Sequence, residues 1–253
     1  MLKFYVAGRV QIEGPAGVVT EHELPGRQGR LMLVRLLLAR GPVTHETLAD
    51  LLWGSDRPPS WTAVLSPLAS RLRGALDTVG ADGRKILMAR QGAYELAPPS
   101  RWVDVEVATR ALDRAQGHVD RAEWESAWAD AAVASAVFRR PFLEDVDHAW
   151  AADLRGVYAD GMVRALSCVA ESWLQLGRWS QAEAAADEAI RLDPLREAAH
   201  RHRIRALAGA GNRARALRAY REMEERLVHE LGVGPSAETE RLFEDLLGVD
   251  DSA

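Results

Sequence analysis

The sequence is poor in cysteine and has no long apolar run. Cys168 is the single cysteine among 253 residues, so no internal disulfide can form and a reducing compartment fits best. The densest apolar run, residues 31–39, is interrupted by Arg35 and is too short to cross a bilayer. The N-terminus lacks the apolar core and cleavage site of a signal peptide. We therefore expect a cytoplasmic protein in which Cys168 acts as a small buried apolar residue.

The motifs that carry enzyme chemistry are also missing. The chain has no phosphate-binding loop, paired Cys/His motif or nucleophile elbow. His200 and His202 are two residues apart, which places them on different faces of a helix and argues against a metal pair. Carboxylates fall on periodic, solvent-facing positions, where no acid–base pair stands out. We expect a non-enzymatic protein without a catalytic centre, cofactor or metal.

Charge is distributed unevenly along the chain. The net charge is -5 overall, but residues 1–100 hold 12 Lys+Arg against 9 Asp+Glu, whereas residues 101–253 hold 20 against 28. Only the first segment therefore has a balance that favours a phosphate backbone. The stretch Ala97-Pro98-Pro99-Ser100-Arg101 lies between the two and is the best linker candidate. We predict one domain over residues 1–99 and a second over residues 100–253.

The first segment has the element order of a winged helix. Two short strands are predicted at residues 2–6 and 10–13. Three helices are expected next, over about residues 27–40, from the N-cap Thr44 to before Gly54, and between Pro59 and Gly80. Two further strands, residues 85–89 and 93–96, flank a turn with Gly92 and predict a hairpin. The predicted fold is mainly α, with short strands and a C-terminal wing.

The second segment contains a countable repeat. Gly177-Arg178-Trp179-Ser180-Gln181-Ala182 recurs as Gly211-Asn212-Arg213-Ala214-Arg215-Ala216, with a spacing of 34 residues. This period is typical of tetratricopeptide repeats, in which glycine permits a tight turn and alanine lets two helices approach closely. A weaker unit is predicted at residues 122–138 and a further helix at residues 147–176. The second domain is therefore expected to be all-α and tetratricopeptide-like.

Several short motifs resemble a known family. Leu51-Leu52-Trp53-Gly54, Pro58-Pro59 and residues 70–76 resemble the OmpR-type winged helix of Streptomyces antibiotic regulatory proteins (SARPs). The rest resembles the bacterial transcriptional activation domain (BTAD) that follows it in those proteins. The matching pieces there are Val103-Asp104, residues 138–143, 193–197 and 216–220, and Glu230-Leu231-Gly232-Val233-Gly234-Pro235. The resemblance implies a short activator, without ATPase or receiver domain, that binds direct repeats near a promoter and contacts RNA polymerase.

The third predicted helix is the one that would contact DNA in a winged helix. Leu65, Leu68, Leu72 and Leu76 form its buried stripe, so Ala63, Ser66, Pro67, Ser70 and Gly74 face outward. Base reading usually needs Arg, Asn or Gln, and relatives usually carry longer side chains at positions 62, 63 and 66. We predict a DNA interface made largely of phosphate contacts. Its candidate residues are Thr62, Ser66, Ser70, Arg71, Arg73, Arg84, Lys85 and Arg90.

Pro67 bears on the same helix. Inside a helix it would remove one hydrogen bond and clash with the carbonyl of Ala63, at about 3 kcal/mol. We therefore expect Ser66 to be the N-cap and Pro67 the first helical residue, which would shorten or kink the recognition helix.

Two residue groups in the second segment have alternative interpretations. Arginines between positions 201 and 221 alternate with glutamates, which favours an ion-paired surface over a site for an acidic partner or flanking DNA. Tryptophans at positions 124, 128, 150, 173 and 179 sit among alanines, which favours core packing over a ligand cage.

Three functions remain open at this point. The first is a transcription activator that binds double-stranded promoter DNA and RNA polymerase or another protein, with paired sites favouring a homodimer. The second is a protein-interaction adaptor whose winged helix no longer reads DNA. The third is a sensor that binds a small ligand in the helical domain, which needs a closed apolar cavity. A continuous helix over residues 59–67 that presents Thr62, Ser66 and Ser70 beside an electropositive wing favours the first. A broken helix whose outer face is covered by the second domain favours the second.

Overall fold

The computed structural model describes residues 1–248, which group into two compact units. The first unit combines Met1–Val107 with Arg140–Ala152, and the second combines Ala108–Arg139 with the chain from Asp153 onward. The end of the predicted second domain, residues 249–253, lies outside the described residues. The domain boundary near residue 100 stays a prediction.

A four-stranded sheet forms one side of the first unit. Its strands are β1 (Leu2–Tyr5), β2 (Gln11–Gly14), β3 (Gly17–Val19) and β7 (Arg101–Val103). β1 pairs antiparallel with β2 and parallel with β7, which gives the order β3-β2-β1-β7. Arg101, which we predicted to be part of a linker, is instead the first residue of β7 and lies opposite Leu2. This pairing satisfies backbone groups of β1 that a free edge would leave exposed.

Three helices and a second sheet complete the winged-helix order. The helices are α1 (Gly26–Leu38), α2 (His45–Trp53) and α3 (Trp61–Thr78). The second sheet contains β4 (Val43–Thr44), β5 (Leu87–Arg90) and β6 (Ala93–Leu96), in the order β4-β6-β5. Two 3₁₀ turns lie at Glu21–Glu23 and Gly54–Asp56. The predicted sequence of three helices followed by a hairpin is confirmed, and the hairpin β5–β6 is called the wing below.

The start of the wing differs from the prediction. Arg84 and Lys85 lie in a short helix, α4 (Gly83–Ile86), and the strand begins only at Leu87. The side chain of Asp82 accepts the backbone N–H of Lys85 at 3.1 Å and caps this turn. Gly83 packs on the backbone of Arg73, where a Cβ would lie 2.3 Å from the Arg73 carbonyl oxygen. A strand at residues 85–86 was therefore wrong, because the aspartate cap and the close approach at Gly83 favour a helical turn.

Helix α3 runs without interruption through Pro67. The expectation that Ser66 caps a helix beginning at Pro67 was wrong, since the N-cap is Ser60. Leu65, Leu68, Leu72 and Leu76 are each at most 1% exposed, so the apolar stripe is buried on both sides of the proline. Burying one leucine contributes about 1.5–3 kcal/mol, and together the four outweigh the roughly 3 kcal/mol cost of an internal proline.

A segment from the middle of the chain belongs to the first unit. Within residues 140–152, Phe142, Leu143 and Val146 are buried. The carbonyl of Pro141 accepts the N–H of Gly8 at 2.7 Å, and Asp145 forms an ion pair with Arg30. His148 Nε2 lies 3.0 Å from Asp50 Oδ2 of α2. The guanidinium of Arg35 in α1 lies over the ring of Trp150. Residues 140–152 are therefore part of the packed core and surface of the first unit.

The remaining regular elements of the described chain are helices. They are α5 (Asp104–Asp120), α6 (Trp124–Phe138), α7 (Ala149–Gln175), α8 (Trp179–Leu192), α9 (Glu197–Gly209), α10 (Arg213–Leu231) and α11 (Ala237–Leu247). α8 packs against α9, and α9 packs against α10. Within residues 1–248, no helix combines the length and apolarity needed to span a membrane.

The 34-residue repeat is confirmed in its geometry. Gly177 and Gly211 both have left-handed backbones, with φ of 66° and 78°. Ala182 and Ala216 are both fully buried where neighbouring helices meet. The same pair of backbone hydrogen bonds closes each turn, and it also closes the turn at Ala122, whose φ is 56°. Ala122 precedes Gly177 by 55 residues rather than 34. The extra length lies mainly in α7, which has 27 residues where α9 has 13, and in the longer loop at residues 139–148 that precedes it.

The tryptophans lie at the edge of the core rather than inside it. None of the five at positions 124, 128, 150, 173 and 179 is buried, and Trp128 is 38% exposed. Trp128 and Trp173 contact each other with ring centroids 4.9 Å apart. The core of the second unit is built instead from alanines, with leucine, valine and methionine. The prediction of core packing is therefore confirmed in part. Trp173 and Trp179 are half-buried and pack against the cluster of Leu174, Ala182 and Ala206.

Candidate nucleic-acid interface

Helices α2 and α3 form a helix-turn-helix that is tied to the wing. Thr44 is the N-cap of α2, as predicted, and its Oγ1 accepts the N–H of Thr47 at 3.1 Å. The next residue, His45, donates its N–H to the carbonyl of Gly92 in the wing turn at 2.9 Å. The ring of His45 also packs on Tyr94 of β6. The start of α2 and the wing are therefore held in a fixed arrangement.

The buried leucine stripe determines which side of α3 faces outward. Five exposed residues occupy that side over its first three turns, and we call them the reading face: Thr62, Ala63, Ser66, Pro67 and Ser70. Thr62, Ser66 and Ser70 recur every four residues and so form one stripe of hydroxyl groups. Ala63 and Pro67 form a second, apolar stripe beside it. When a recognition helix lies in a major groove, the exposed residues near its N-terminal end contact the bases.

The two arginines near the middle of α3 have different surroundings. Arg71 is exposed and has no ion-pair partner within residues 1–248. Arg73 is half-buried, and its Nε donates to the carbonyl of Leu87 at 2.9 Å. Arg73 therefore joins α3 to the wing, which leaves Arg71 as the more available cation for a phosphate group.

The cations of the wing are largely paired with acids. Arg90 Nε lies 2.9 Å from Glu95 Oε2 across the hairpin. Lys85 Nζ lies 2.9 Å from Asp82 Oδ2, although its side chain is 84% exposed. Asp82 raises the pKa of Lys85 through this hydrogen bond, so the amine stays charged. Arg84 is exposed, and no ion pair to another described residue engages it.

One cation beside the reading face was not predicted from the sequence. The guanidinium of Arg57 lies over the ring of Trp61, 5.0 Å from its centroid, at the first turn of α3. It also forms an ion pair with Glu46 of α2. The aromatic residue four positions after an arginine was the only local signal for this contact, and the partner Glu46 is eleven positions away. Arg57 thus braces the turn between the two helices.

A cleft in the second unit bears on the small-ligand hypothesis. It encloses about 350 Å³ and is lined by residues of α5, α7 and α9. Arg164 donates to Gln116 Oε1 at 2.7 Å, and His202 Nε2 lies 3.3 Å from Glu171 Oε2. Burial raises the pKa of the Cys168 thiol to about 11, so the thiol stays protonated, as expected for a small apolar residue. Because these polar groups bind one another, the cleft does not favour a dedicated ligand site.

Several arginines after position 200 form ion pairs, as predicted, but mainly with acids of other helices rather than with the glutamates that alternate with them. Arg201 pairs with Glu238, Arg203 with Asp187 and Arg215 with Glu183, at 2.7–3.0 Å. Such pairs are only partly exposed, and pairs that keep contact with solvent contribute little to stability. The cluster is therefore a largely neutralised surface and offers less positive charge than its sequence suggests.

Comparison with known proteins identifies the family. The family model of the bacterial transcriptional activator domain matches residues 103–247. The chain therefore belongs to this family, and its relatives are SARP-type transcriptional regulators rather than enzymes. The resemblance stated from the sequence is thus confirmed.

Relatives cover nearly the whole chain. It is 28% identical over 237 residues to the regulatory protein AfsR of Streptomyces griseus, which is 88% of this chain and 22% of that protein. It is 28% identical over 222 residues to the transcriptional regulatory protein EmbR of Mycobacterium tuberculosis, which is 86% of this chain and 57% of that protein. The chain therefore spans between about a fifth and somewhat over half the length of these relatives.

A solved structure shares the fold. M. tuberculosis EmbR, in complex with a low-affinity phosphopeptide, superposes with a TM-score of 0.87 at 24% identity. The match covers 100% of this chain and 66% of that one. The predicted fold class, a small winged helix with short strands followed by helical repeats, is confirmed by this likeness and by the elements described above.

Proposed function

We propose that the chain is a transcription activator that binds promoter DNA through α2, α3 and the wing. The observation that carries this proposal is the continuous helix α3, which exposes Thr62, Ser66 and Ser70 beside the wing. A helix-turn-helix of this kind fits a major groove with its second helix. Membership of a transcriptional activator family supports the same conclusion. The DNA-binding domain comprises residues 1–99 and the activation domain residues 100–253, acting in the cytoplasm.

Affinity comes mainly from the phosphate backbone. Arg71 and Arg84 are the exposed cations best placed to contact phosphates, with Lys85 and Arg90 at the wing in secondary roles because acids pair with both. Phosphate contacts fix the position of the protein on the duplex but carry no direct sequence information. Direct repeats in the promoter would be bound by two protomers, one on each half-site.

A salt titration on selected genomic fragments tests DNA binding. We expect log Kd to rise linearly with log salt, and Arg71→Ala and Arg84→Ala each to reduce the slope by about one, since each removes one phosphate contact. Arg9→Ala is the matched control, because Arg9 is an exposed arginine of the first unit outside the helix-turn-helix. A lack of salt-sensitive binding at low ionic strength would contradict the proposal.

The helical repeats are the proposed contact for RNA polymerase or another regulatory protein. Exposed Trp128, which contacts the half-buried Trp173, provides aromatic surface of the type enriched at protein interfaces. We expect Trp128→Ala to lower activated transcription in a purified polymerase system without changing promoter affinity. Trp124→Ala, on the same helix, is the comparison. Equal transcription by the wild type and both variants would remove this surface from the proposal.

A second candidate is a protein-interaction adaptor. The ion pairs Arg90–Glu95 and Lys85–Asp82 favour it, because they reduce the positive field of the wing. The same fragment selection separates the two functions. Enrichment of spaced repeats supports the activator, whereas uniform recovery of fragments together with retained partner binding supports the adaptor.

A further inference from the structure

The reading face of α3 is made only of short side chains. Its hydroxyl stripe and its apolar stripe run side by side along the helix, and all five residues are exposed. From Thr62 to Ser70 the helix rises about 12 Å, which corresponds to between three and four base-pair steps of about 3.4 Å. One half-site therefore faces two hydroxyl-bearing serines, a threonine, an alanine and a proline.

This composition limits which bases α3 can recognise directly. Guanine is usually read by the paired donors of Arg or Lys, and adenine by the amide of Asn or Gln. The reading face offers neither. Alanine and the threonine methyl group make apolar contact with the 5-methyl group of thymine, and serine and threonine hydroxyls accept or donate one hydrogen bond to any base. Thymine is thus the base that this face distinguishes best.

The nearby arginines do not supply the missing guanine contacts. Arg57 is held by Trp61 and Glu46, and Arg73 is held by the carbonyl of Leu87. Arg71 continues the apolar stripe, but it lies a full turn beyond Pro67, away from the N-terminal residues that contact base edges. The short side chains also allow the helix axis to approach the groove floor closely, which methyl–methyl contact requires.

We propose that α3 recognises its half-site through thymine methyl groups, which pack against Ala63, Pro67 and the methyl group of Thr62. The hydroxyls of Ser66 and Ser70 complete the contact with neighbouring base edges. This inference rests on the proposed DNA-binding function and specifies the base class that it recognises.

Replacing thymidine by deoxyuridine tests the inference directly. A genomic fragment selected by the full chain is synthesised in both forms, which differ only in the 5-methyl groups. We expect the deoxyuridine form to bind about fourfold more weakly for each contacted methyl group. A scrambled duplex prepared in both forms should show no difference, since non-specific binding uses the phosphate backbone.

Two conservative variants locate the effect on the protein. Thr62→Ser removes one methyl group and keeps the hydroxyl. The ratio of the affinities for the thymidine and deoxyuridine duplexes should therefore be about fourfold smaller for this variant than for the wild type. Thr78→Ser is the matched control, because Thr78 is exposed at the far end of α3 and its hydroxyl donates to the Gly74 carbonyl. It should leave the deoxyuridine effect unchanged.

The outcomes distinguish this inference from the function on which it rests. Specific binding that is equal for both forms, or a deoxyuridine effect that Thr62→Ser leaves intact, overturns thymine recognition by α3 while DNA binding stands. Failure to bind any fragment at low salt overturns both.

Discussion

At the scale of single residues, Asp104 joins two elements that are distant in sequence. Its side chain is fully buried at the start of α5. Its two carboxylate oxygens accept the N–H groups of Val6 and Ala7 at 3.0 and 3.1 Å, beyond the end of β1. Burial raises the pKa of this carboxyl, while the N–H donors and the charge of Arg140 oppose the rise. The position matches the Val103-Asp104 motif noted in the sequence, and its role is structural.

Asp104→Ala should therefore destabilise the protein by about 2–4 kcal/mol, because it leaves buried N–H groups without acceptors. Urea unfolding monitored by circular dichroism measures this change. Asp113→Ala, at an exposed position of the same helix, should change the free energy of unfolding by less than about 0.5 kcal/mol. Similar losses for the two variants would argue against a specific role of Asp104.

Ala122 adopts a conformation that favours glycine. Its φ of 56° matches those of Gly177 and Gly211 in the later repeats. We expect Ala122→Gly to stabilise the protein by about 0.5–1 kcal/mol, since a Cβ in the left-handed region is strained. Ala129→Gly, in the exposed interior of α6, should instead destabilise it by about 1 kcal/mol. Thermal unfolding compares the two, and a shift of the same sign in both would contradict the prediction.

Glu171 makes the stability of the second unit depend on pH in the acidic range. Its hydrogen bond with His202 is the main reason that its pKa falls from 4.5 to about 2, with smaller contributions from Gln175 and Arg205. Since the folded state holds this proton less tightly than the unfolded state, the stabilisation is present above pH 4.5. It is lost as the pH falls from 4.5 towards 2.

Glu171→Gln should therefore lower the free energy of unfolding at pH 6 by about 1–3 kcal/mol. The difference from the wild type should narrow below pH 4.5. Denaturant unfolding at pH 6, 5, 4 and 3.5 measures this trend. Glu225→Gln, on an exposed part of α10, should stay within about 0.5 kcal/mol of the wild type at pH 6. A constant difference for Glu171→Gln across this range would contradict the assignment.

At the scale of elements, α3 shows how packing overrides a local preference. Pro67 has no N–H to donate to the carbonyl of Ala63, yet the helix continues because leucines on both sides are buried. Pro67→Ala should raise the free energy of unfolding by about 1–3 kcal/mol, as it restores this hydrogen bond at an exposed site. Ser66→Ala is the neighbouring control, with an expected change below about 0.5 kcal/mol. Urea unfolding of the two variants and the wild type measures these free energies, and equal values for Pro67→Ala and the wild type would contradict the prediction.

Elements set by local signals could be predicted from the sequence. The leucine stripe indicates which side of α3 faces outward, Gly92 marks the wing turn, and the 34-residue period marks the repeat turns. The strand β7 could not be predicted, because its pairing with β1 joins residues about a hundred positions apart. The same holds for Arg73, whose partner Leu87 is supplied by another element. The predicted site residues remain candidates, placed on α3, α4 and the wing.

At the scale of the whole molecule, the chain passes between the two units three times, near residues 107, 139 and 152. A fragment ending at Val107 would lack the buried side chains of Phe142, Leu143 and Val146. We expect this fragment to be less stable than the same unit in the full chain by a few kcal/mol. Hydrogen exchange of α1 amides measures the difference.

A peptide of residues 140–152, added to that fragment, should restore part of the protection, whereas a scrambled peptide should not. Equal protection of α1 in the fragment and in the full chain would show that this segment is dispensable.

The position of this segment also imposes an order on biosynthesis. The ribosome makes residues 1–107 first, then α5 and α6, and only then the residues that close the first unit. At roughly 5–20 residues per second, the interval from residue 107 to residue 152 lasts about 2–9 s. During that time the nascent first unit has an open apolar side, so it can complete its fold only after residues 108–139 of the second unit have been translated.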